Sequence, residues 1–181
     1  MNIPNLLTLL RIILVPVIVI LLIQGLFLKA LIVFVVAALS DVLDGFLARI
    51  LRQKTTLGAY LDPIADKALL ASSFVTLSIL HVIPGWLAVI VISRDVIILL
   101  GIAVLSMMSI SVTIRPTFVS KITTALQLST VLIVLYDLSM PDSFHDLWQT
   151  ALFWLTALLT IISGLDYMMR GQKLMNQDIK K

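Results

Sequence analysis

The chain has 181 residues, 60% hydrophobic and 13% charged, with a mean hydropathy of +1.12 and a formal net charge of +3. A soluble domain carries roughly 25% charged residues, so this chain lacks the charges needed to build the polar faces of a water-soluble helix bundle. Cysteine is absent, which excludes a disulfide framework and a thiolate metal site, and with no glutamate all ten acidic residues are aspartate.

Uncharged runs at Ala68–Ser93, Val96–Ile114, Ile122–Tyr136 and Leu147–Leu165, with Ile12–Gln24 inside the first apolar segment, dominate the chain. They point to membrane spans, which need about 17–25 mostly apolar residues. Lipid leaves backbone groups no outside partner, so such spans are helical. The expected fold is therefore all-α, a single membrane-embedded domain over 1–181 with six transmembrane helices.

In chain order the spans are predicted over 5–24, 28–50, 60–81, 84–108, 118–138 and 146–169, followed by a basic tail over 170–181. Gln24-Gly25 ends the first, and the second and third flank the short loop Ile50–Gly58. Ile83-Pro84-Gly85 separates the third from the fourth, Arg115-Pro116 precedes the fifth, and Met140-Pro141-Asp142 precedes the sixth.

Orientation follows from the cations. With the N-terminus inside, Arg49, Arg52, Lys54, Arg115, Lys121, Arg170, Lys173, Lys180 and Lys181 fall on the cytoplasmic side, against Lys29 opposite. Both termini are thus expected in the cytoplasm, with Trp86 and Trp148 at the outer interface. From the opening residues neither a signal peptide nor an Arg- and Ser-rich transit sequence is expected, which favours a bacterial inner membrane. The net positive charge suits an anionic leaflet rather than nucleic acid, although topology alone also accounts for it.

The informative stretch is Asp41-Val-Leu-Asp44-Gly45-Phe-Leu-Ala48-Arg49, then Gly58-Ala-Tyr-Leu-Asp62-Pro-Ile-Ala-Asp66. Asp41 and Asp44 share one face of the second helix and Asp62 and Asp66 one face of the third. The short loop holds these helices antiparallel, so the four carboxylates can converge near one end. Each carboxylate costs roughly 2.5–3.5 kcal/mol deep in a membrane, and hard divalent cations, Mg²⁺ or Mn²⁺, are the natural partners of oxygen-only ligands. Zinc is not expected, because His81 and His145 fall on the far side. Ion pairs with Arg49 and Lys67 are the purely structural alternative. Gly45 and Ala48 leave room for a flat ligand group or for close helix packing, and Arg49 ends the motif where a guanidinium would meet phosphate oxygens.

The string Asp-x2-Asp-Gly-x2-Ala-Arg-x8-Gly-x3-Asp-x3-Asp resembles the signature of the CDP-alcohol phosphatidyltransferases at every fixed position. Chance would produce it on the order of 10⁻¹⁰ per starting position at ordinary residue frequencies. The resemblance implies a six-helix membrane enzyme, expected as a homodimer, that transfers a phosphatidyl group from CDP-diacylglycerol to an alcohol. It implies two divalent metals held by Asp41, Asp44, Asp62 and Asp66, with Asp66 as general base. It also implies CDP-diacylglycerol contacts at Asp41, Gly45, Ala48, Arg49 and Gly58.

The opening Asn2-Ile-Pro-Asn-Leu-Leu-Thr-Leu-Leu-Arg11 resembles phosphatidylglycerophosphate synthases and eukaryotic-type cardiolipin synthases alike, which implies a glycerol-based acceptor. Arg94-Asp95 and Ser120-Lys121 look closer to the cardiolipin synthase pattern, whereas a bacterium must make phosphatidylglycerol first, which favours glycerol 3-phosphate. Arg115 and Lys121 are candidates for an acceptor phosphate or for snorkelling to the interface. An internal helix–helix pairing is expected for Arg94 and Asp95, and only structural roles for Arg11 and Asp166. Prenyl transfer would need a second aspartate-rich helix pair, and a cation channel or transporter would need midplane charges and an internal repeat. Neither pattern is visible.

Overall fold

Among the described residues of the computed structural model, six helices follow in sequence: α1 (Ile3–Ile23), α2 (Phe27–Ile50), α3 (Thr56–Ile79), α4 (Gly85–Met107), α5 (Phe118–Ser139) and α6 (Asp146–Asp178). The structure describes the backbone of residues 3–50, 56–107, 117–140 and 146–178, and side chains at 6, 8–41, 64–101, 117–140 and 148–172. No strand occurs among the described residues, as an all-α chain requires.

The helix ends have local causes. At the end of α1 the N–H of Gly25 bonds the Leu22 carbonyl at 3.0 Å and the N–H of Leu26 bonds the Leu21 carbonyl at 2.9 Å. This paired closure needs a left-handed residue, and Gly25 supplies it at φ 70°. The same closure ends α3, with the N–H of His81 on the Ser78 carbonyl at 3.0 Å and that of Val82 on the Leu77 carbonyl at 2.9 Å. Here His81 takes φ 59°, so α3 stops at Ile79 rather than at the predicted 81. Thr117 caps α5, its Oγ1 accepting the Ser120 N–H at 3.1 Å. Helix α6 runs on to Asp178, past the predicted 169, because charge ends an apolar span without ending a helix. The extension Arg170-Gly-Gln-Lys-Leu-Met holds mostly good helix formers.

The chain forms two compact units, Met1–Pro84 with Val131–His145, and Gly85–Thr130 with Asp146–Lys181. In the first, α1 packs against both α2 and α3 around Ile18, Leu22, Phe34, Ala37, Phe74 and Leu77. In the second, α4 packs on α6, with Leu87, Val91, Phe153 and Ala157 buried.

Helices α5 and α6 are joined by polar side chains. Thr130 and Thr156 share a hydroxyl hydrogen bond of 2.8 Å, Gln127 Nε2 donates to Thr160 Oγ1 at 3.0 Å, and Thr123 Oγ1 donates to the Leu159 carbonyl at 3.1 Å. From Thr123 to Thr130 along α5 the partners pass from Leu159 back to Thr156 on α6, so the two helices run antiparallel.

Small polar side chains share the interior with the apolar core, and large apolar side chains cover much of the outside. Thr123, Gln127, Thr130, Thr156, Thr160 and Ser163 are fully buried, while Phe118 is 77% and Ile79 70% exposed. Small hydroxyl residues inside and large apolar residues outside are what a lipid solvent selects. Among the described residues two helices are long and apolar enough to cross a membrane, Phe118–Ser139 and Trp148–Gln172, with a shorter apolar run at Thr8–Ile23. Trp86, expected at an interface, sits with its ring centroid 4.9 Å from that of Trp154.

Candidate active site

Each helix of the first unit carries an inward stripe that changes character along its length. On α1 the buried positions are Thr8, Arg11, Ile18 and Leu22, and on α2 they are Ala30, Phe34, Ala37 and Ser40, leading to Asp41. On α3 the stripe runs from Ala65 and Asp66 through Leu70 and Ser73 to Leu77. At 1.5 Å per residue, Arg11, Asp41 and Asp66 each lie about 12–15 Å from the same end of the unit. The helical periods thus bring the polar ends of three stripes to one level.

At that level one nitrogen joins all three helices. Arg11 Nη1 lies 3.0 Å from Asp41 Oδ1 and also donates to Asp66 Oδ1. Two oxygens on one donor nitrogen lie within roughly 6 Å of each other, twice a hydrogen-bond length. Carboxylates 25 residues apart on α2 and α3 therefore converge. The Arg11 side chain is 0% exposed, whereas those of Asp41 and Asp66 are 41% and 37% exposed. The cation is inside and the acids reach the surface, so an incoming ion or phosphate meets carboxylate oxygens first. Oxygen-only donors that converge and remain accessible fit a hard divalent cation.

Of the predicted site residues, Asp41 and Asp66 have described side chains and are brought together. Asp44, Gly45, Ala48 and Arg49 continue α2 beyond Asp41, and Gly58 and Asp62 precede Asp66 on α3, but their side chains lie outside the described residues. Among the described residues no group of three acids or histidines forms. Arg115 also lies outside them, while Lys121 is exposed in the first turns of α5. Arg11 is the residue that sequence reasoning passed over, although the signal was present. It is the sole charge in 1–28, and a charge inside an apolar span is a functional candidate by default.

The second unit holds its own buried cation. Arg94 on α4 donates from Nη1 to Asp95 Oδ1 at 2.7 Å, and from Nη2 to Ser120 Oγ at 2.6 Å and Ser163 Oγ at 2.8 Å. Its guanidinium carbon lies 5.8 Å from the centroid of the Tyr167 ring, within cation–π range. Gly164 passes beside it, since a Cβ there would stand 3.5 Å from Arg94 Cγ. The expected helix–helix pairing of Arg94 and Asp95 is thus corrected. The carboxylate is the next residue of the same helix, and hydroxyls make the connections to α5 and α6. Asp166 forms a surface pair with Arg170 one turn on, at 3.0 Å, and such exposed pairs contribute about 0.3–0.5 kcal/mol.

The sequence pattern described as CDP-alcohol phosphatidyltransferase matches residues 1–162. A cardiolipin synthase (CMP-forming) of Rattus norvegicus is 35% identical over 190 residues, covering 95% of this chain and 62% of that protein. A probable phosphatidylglycerophosphate synthase of Mycobacterium tuberculosis is 35% identical over 177 residues, covering 94% of this chain and 81% of that protein. A CDP-diacylglycerol–glycerol-3-phosphate 3-phosphatidyltransferase of Escherichia coli is 34% identical over 173 residues, covering 92% of this chain and 93% of that protein. The chain thus spans less than two thirds of the length of its rat relative.

Proposed function

Because this chain belongs to the CDP-alcohol phosphatidyltransferase family, we propose that it transfers the phosphatidyl group of CDP-diacylglycerol to a glycerol-based hydroxyl, releasing CMP. Glycerol 3-phosphate is the acceptor we favour, which gives phosphatidylglycerophosphate. The observation that carries the reading is the meeting of the Asp41 and Asp66 carboxylates, from separate helices, on one guanidinium nitrogen.

In this reading Asp41, Asp44, Asp62 and Asp66 would hold two divalent ions, Mg²⁺ or Mn²⁺. When bound, these supply positive charge to the phosphate oxygens and to the departing CMP. The protein's own groups do the rest. Asp66 accepts the proton of the acceptor hydroxyl, whose oxygen forms a new bond to the β-phosphorus. The bond from that phosphorus to the bridging oxygen breaks, and CMP leaves with the electron pair. Arg49 meets the diphosphate as a bidentate donor, and the small residues Gly45, Ala48 and Gly58 leave room for the cytidine.

The whole chain acts as one membrane-embedded enzyme with six spans, both termini and the site at the cytoplasmic face of a bacterial inner membrane, and a homodimeric assembly. The many large apolar side chains exposed on the helices support immersion in lipid. The diacyl tails of the donor then stay in the bilayer while reaction proceeds near its water boundary.

Cardiolipin synthesis is the second reading. It is favoured by the Arg94-Asp95 and Ser120-Lys121 pairs and by likeness to the rat cardiolipin synthase. The two are separated by supplying purified protein with CDP-diacylglycerol and either glycerol 3-phosphate or phosphatidylglycerol, and measuring CMP. Turnover with phosphatidylglycerol alone would replace the favoured acceptor, and turnover with neither would reject phosphatidyl transfer to glycerol compounds. Asp66→Asn should lower kcat by about 10²–10⁴-fold while CDP-diacylglycerol still binds. An active Asp66→Asn enzyme refutes the assignment of the base.

A further inference from the structure

Arg11 lies outside the aspartate motif in sequence and inside its geometry in space. Its Nη1 contacts Oδ1 of both Asp41 and Asp66, and it is the fully buried partner of two accessible acids. A surface ion pair shows the opposite arrangement, with a long cation reaching over solvent. Here the cation is anchored in the interior on α1, whose neighbouring inward positions Thr8 and Ile18 are also buried. The acids it touches come from the two helices that α1 packs against.

We propose that Arg11 is a positioning residue for phosphatidyl transfer. Its guanidinium cross-ties the carboxylates of α2 and α3 and presets their spacing before ion and diphosphate bind. Two like charges on separate helices would otherwise turn apart toward water, each through its own rotamers. A shared donor removes both freedoms, and groups already held in place lose less entropy when a ligand arrives. Arginine suits the task because its planar fork and fixed charge define direction as well as distance. Partners that orient metal ligands in this way are typically worth about 10–100-fold in metal affinity or activity. The inference rests on the metal-dependent reading above and adds α1 to a site otherwise built from α2 and α3.

The test is Mn²⁺ binding to the purified full-length protein in detergent without lipid substrate, followed by electron paramagnetic resonance, alongside CMP-release kinetics and thermal unfolding. Arg11→Met should weaken Mn²⁺ binding by about tenfold or more and lower kcat, with a smaller change in the KM for CDP-diacylglycerol. Arg11→Lys, which keeps the charge and loses the fork, should fall between Arg11→Met and wild type in both measurements, and it carries the test by itself if Arg11→Met does not fold. Folded Arg11→Met that binds Mn²⁺ as tightly as wild type, or more tightly, overturns the inference. So does Arg11→Lys indistinguishable from wild type, or a variant that loses only thermal stability. Asp44→Asn separates this failure from failure of the underlying reading. If wild type binds no Mn²⁺, or Asp44→Asn binds it equally well, the metal reading falls and takes the inference with it.

Discussion

Replacing Arg94 with methionine tests whether the buried cation of the second unit holds its helices together. The side chain is 4% exposed and makes three hydrogen bonds of 2.8 Å or less, to Asp95, Ser120 and Ser163. Removing one partner of a buried ion pair costs about 3–5 kcal/mol in soluble proteins. Each lost interhelical hydroxyl contact adds about 0.6 kcal/mol in a membrane, at most about 1.7. On the membrane-embedded reading proposed above, part of this is offset, because Asp95 would also sit in lipid in the unfolded reference state, where an aspartate costs about 2.5–3.5 kcal/mol. The net loss for Arg94→Met should be about 2–4 kcal/mol. Reversible unfolding in mixed micelles at increasing SDS fraction, followed by tryptophan fluorescence, measures it. The decisive quantity is the coupling to Asp95. Arg94→Met/Asp95→Asn should recover about 1–2 kcal/mol relative to Arg94→Met, because the amide no longer leaves a charge buried. A loss below about 1 kcal/mol for Arg94→Met, or an Asp95→Asn effect equal in both backgrounds, would refute the reasoning.

The Thr130–Thr156 hydrogen bond should show a coupling of about 0.6 kcal/mol, and no more than about 1.7, in a double-mutant cycle to alanine read by the same unfolding assay. Gly25→Ala should destabilise by about 1–2 kcal/mol, because a Cβ opposes the positive φ there although nothing stands within 4 Å of it. His81→Gly should act in the other sense, stabilising by up to about 1 kcal/mol as the left-handed strain is relieved. Equal signs for the two substitutions would show that something other than backbone conformation governs these helix ends.

These expectations draw unevenly on sequence and structure. The six helices seen among the described residues were legible because long apolar runs most readily satisfy their own backbone as helices, and the punctuation at Gly25, Pro84 and Pro141 divides the runs. The end of α3 was not legible, since a histidine in the left-handed region carries no compositional mark. The end of α6 was missed because hydropathy reports a span and not a helix. The Asp41–Asp66 pattern could be read from the sequence because its spacing is local, each pair lying about one helical turn apart, and of its four acids Asp41 and Asp66 have described side chains.

Which cation meets those acids was beyond any local reading. Arg49 and Lys67 are the cations nearest them in sequence, whereas Arg11, which meets both Asp41 and Asp66, is more than two dozen residues upstream of Asp41 and 55 from Asp66. The stripe Thr8, Arg11, Ile18, Leu22 announces an inward face on α1, but a helical period says nothing about which neighbour that face will meet. Likewise Arg94 was recognisable as a buried charge, while its hydroxyl partners on α5 and α6 depended on the antiparallel register of two other helices. Composition and spacing act along one chain direction and determine the helices and the acidic motif. The choice of partner depends on how helices distant in sequence pack, and only the folded chain decides it.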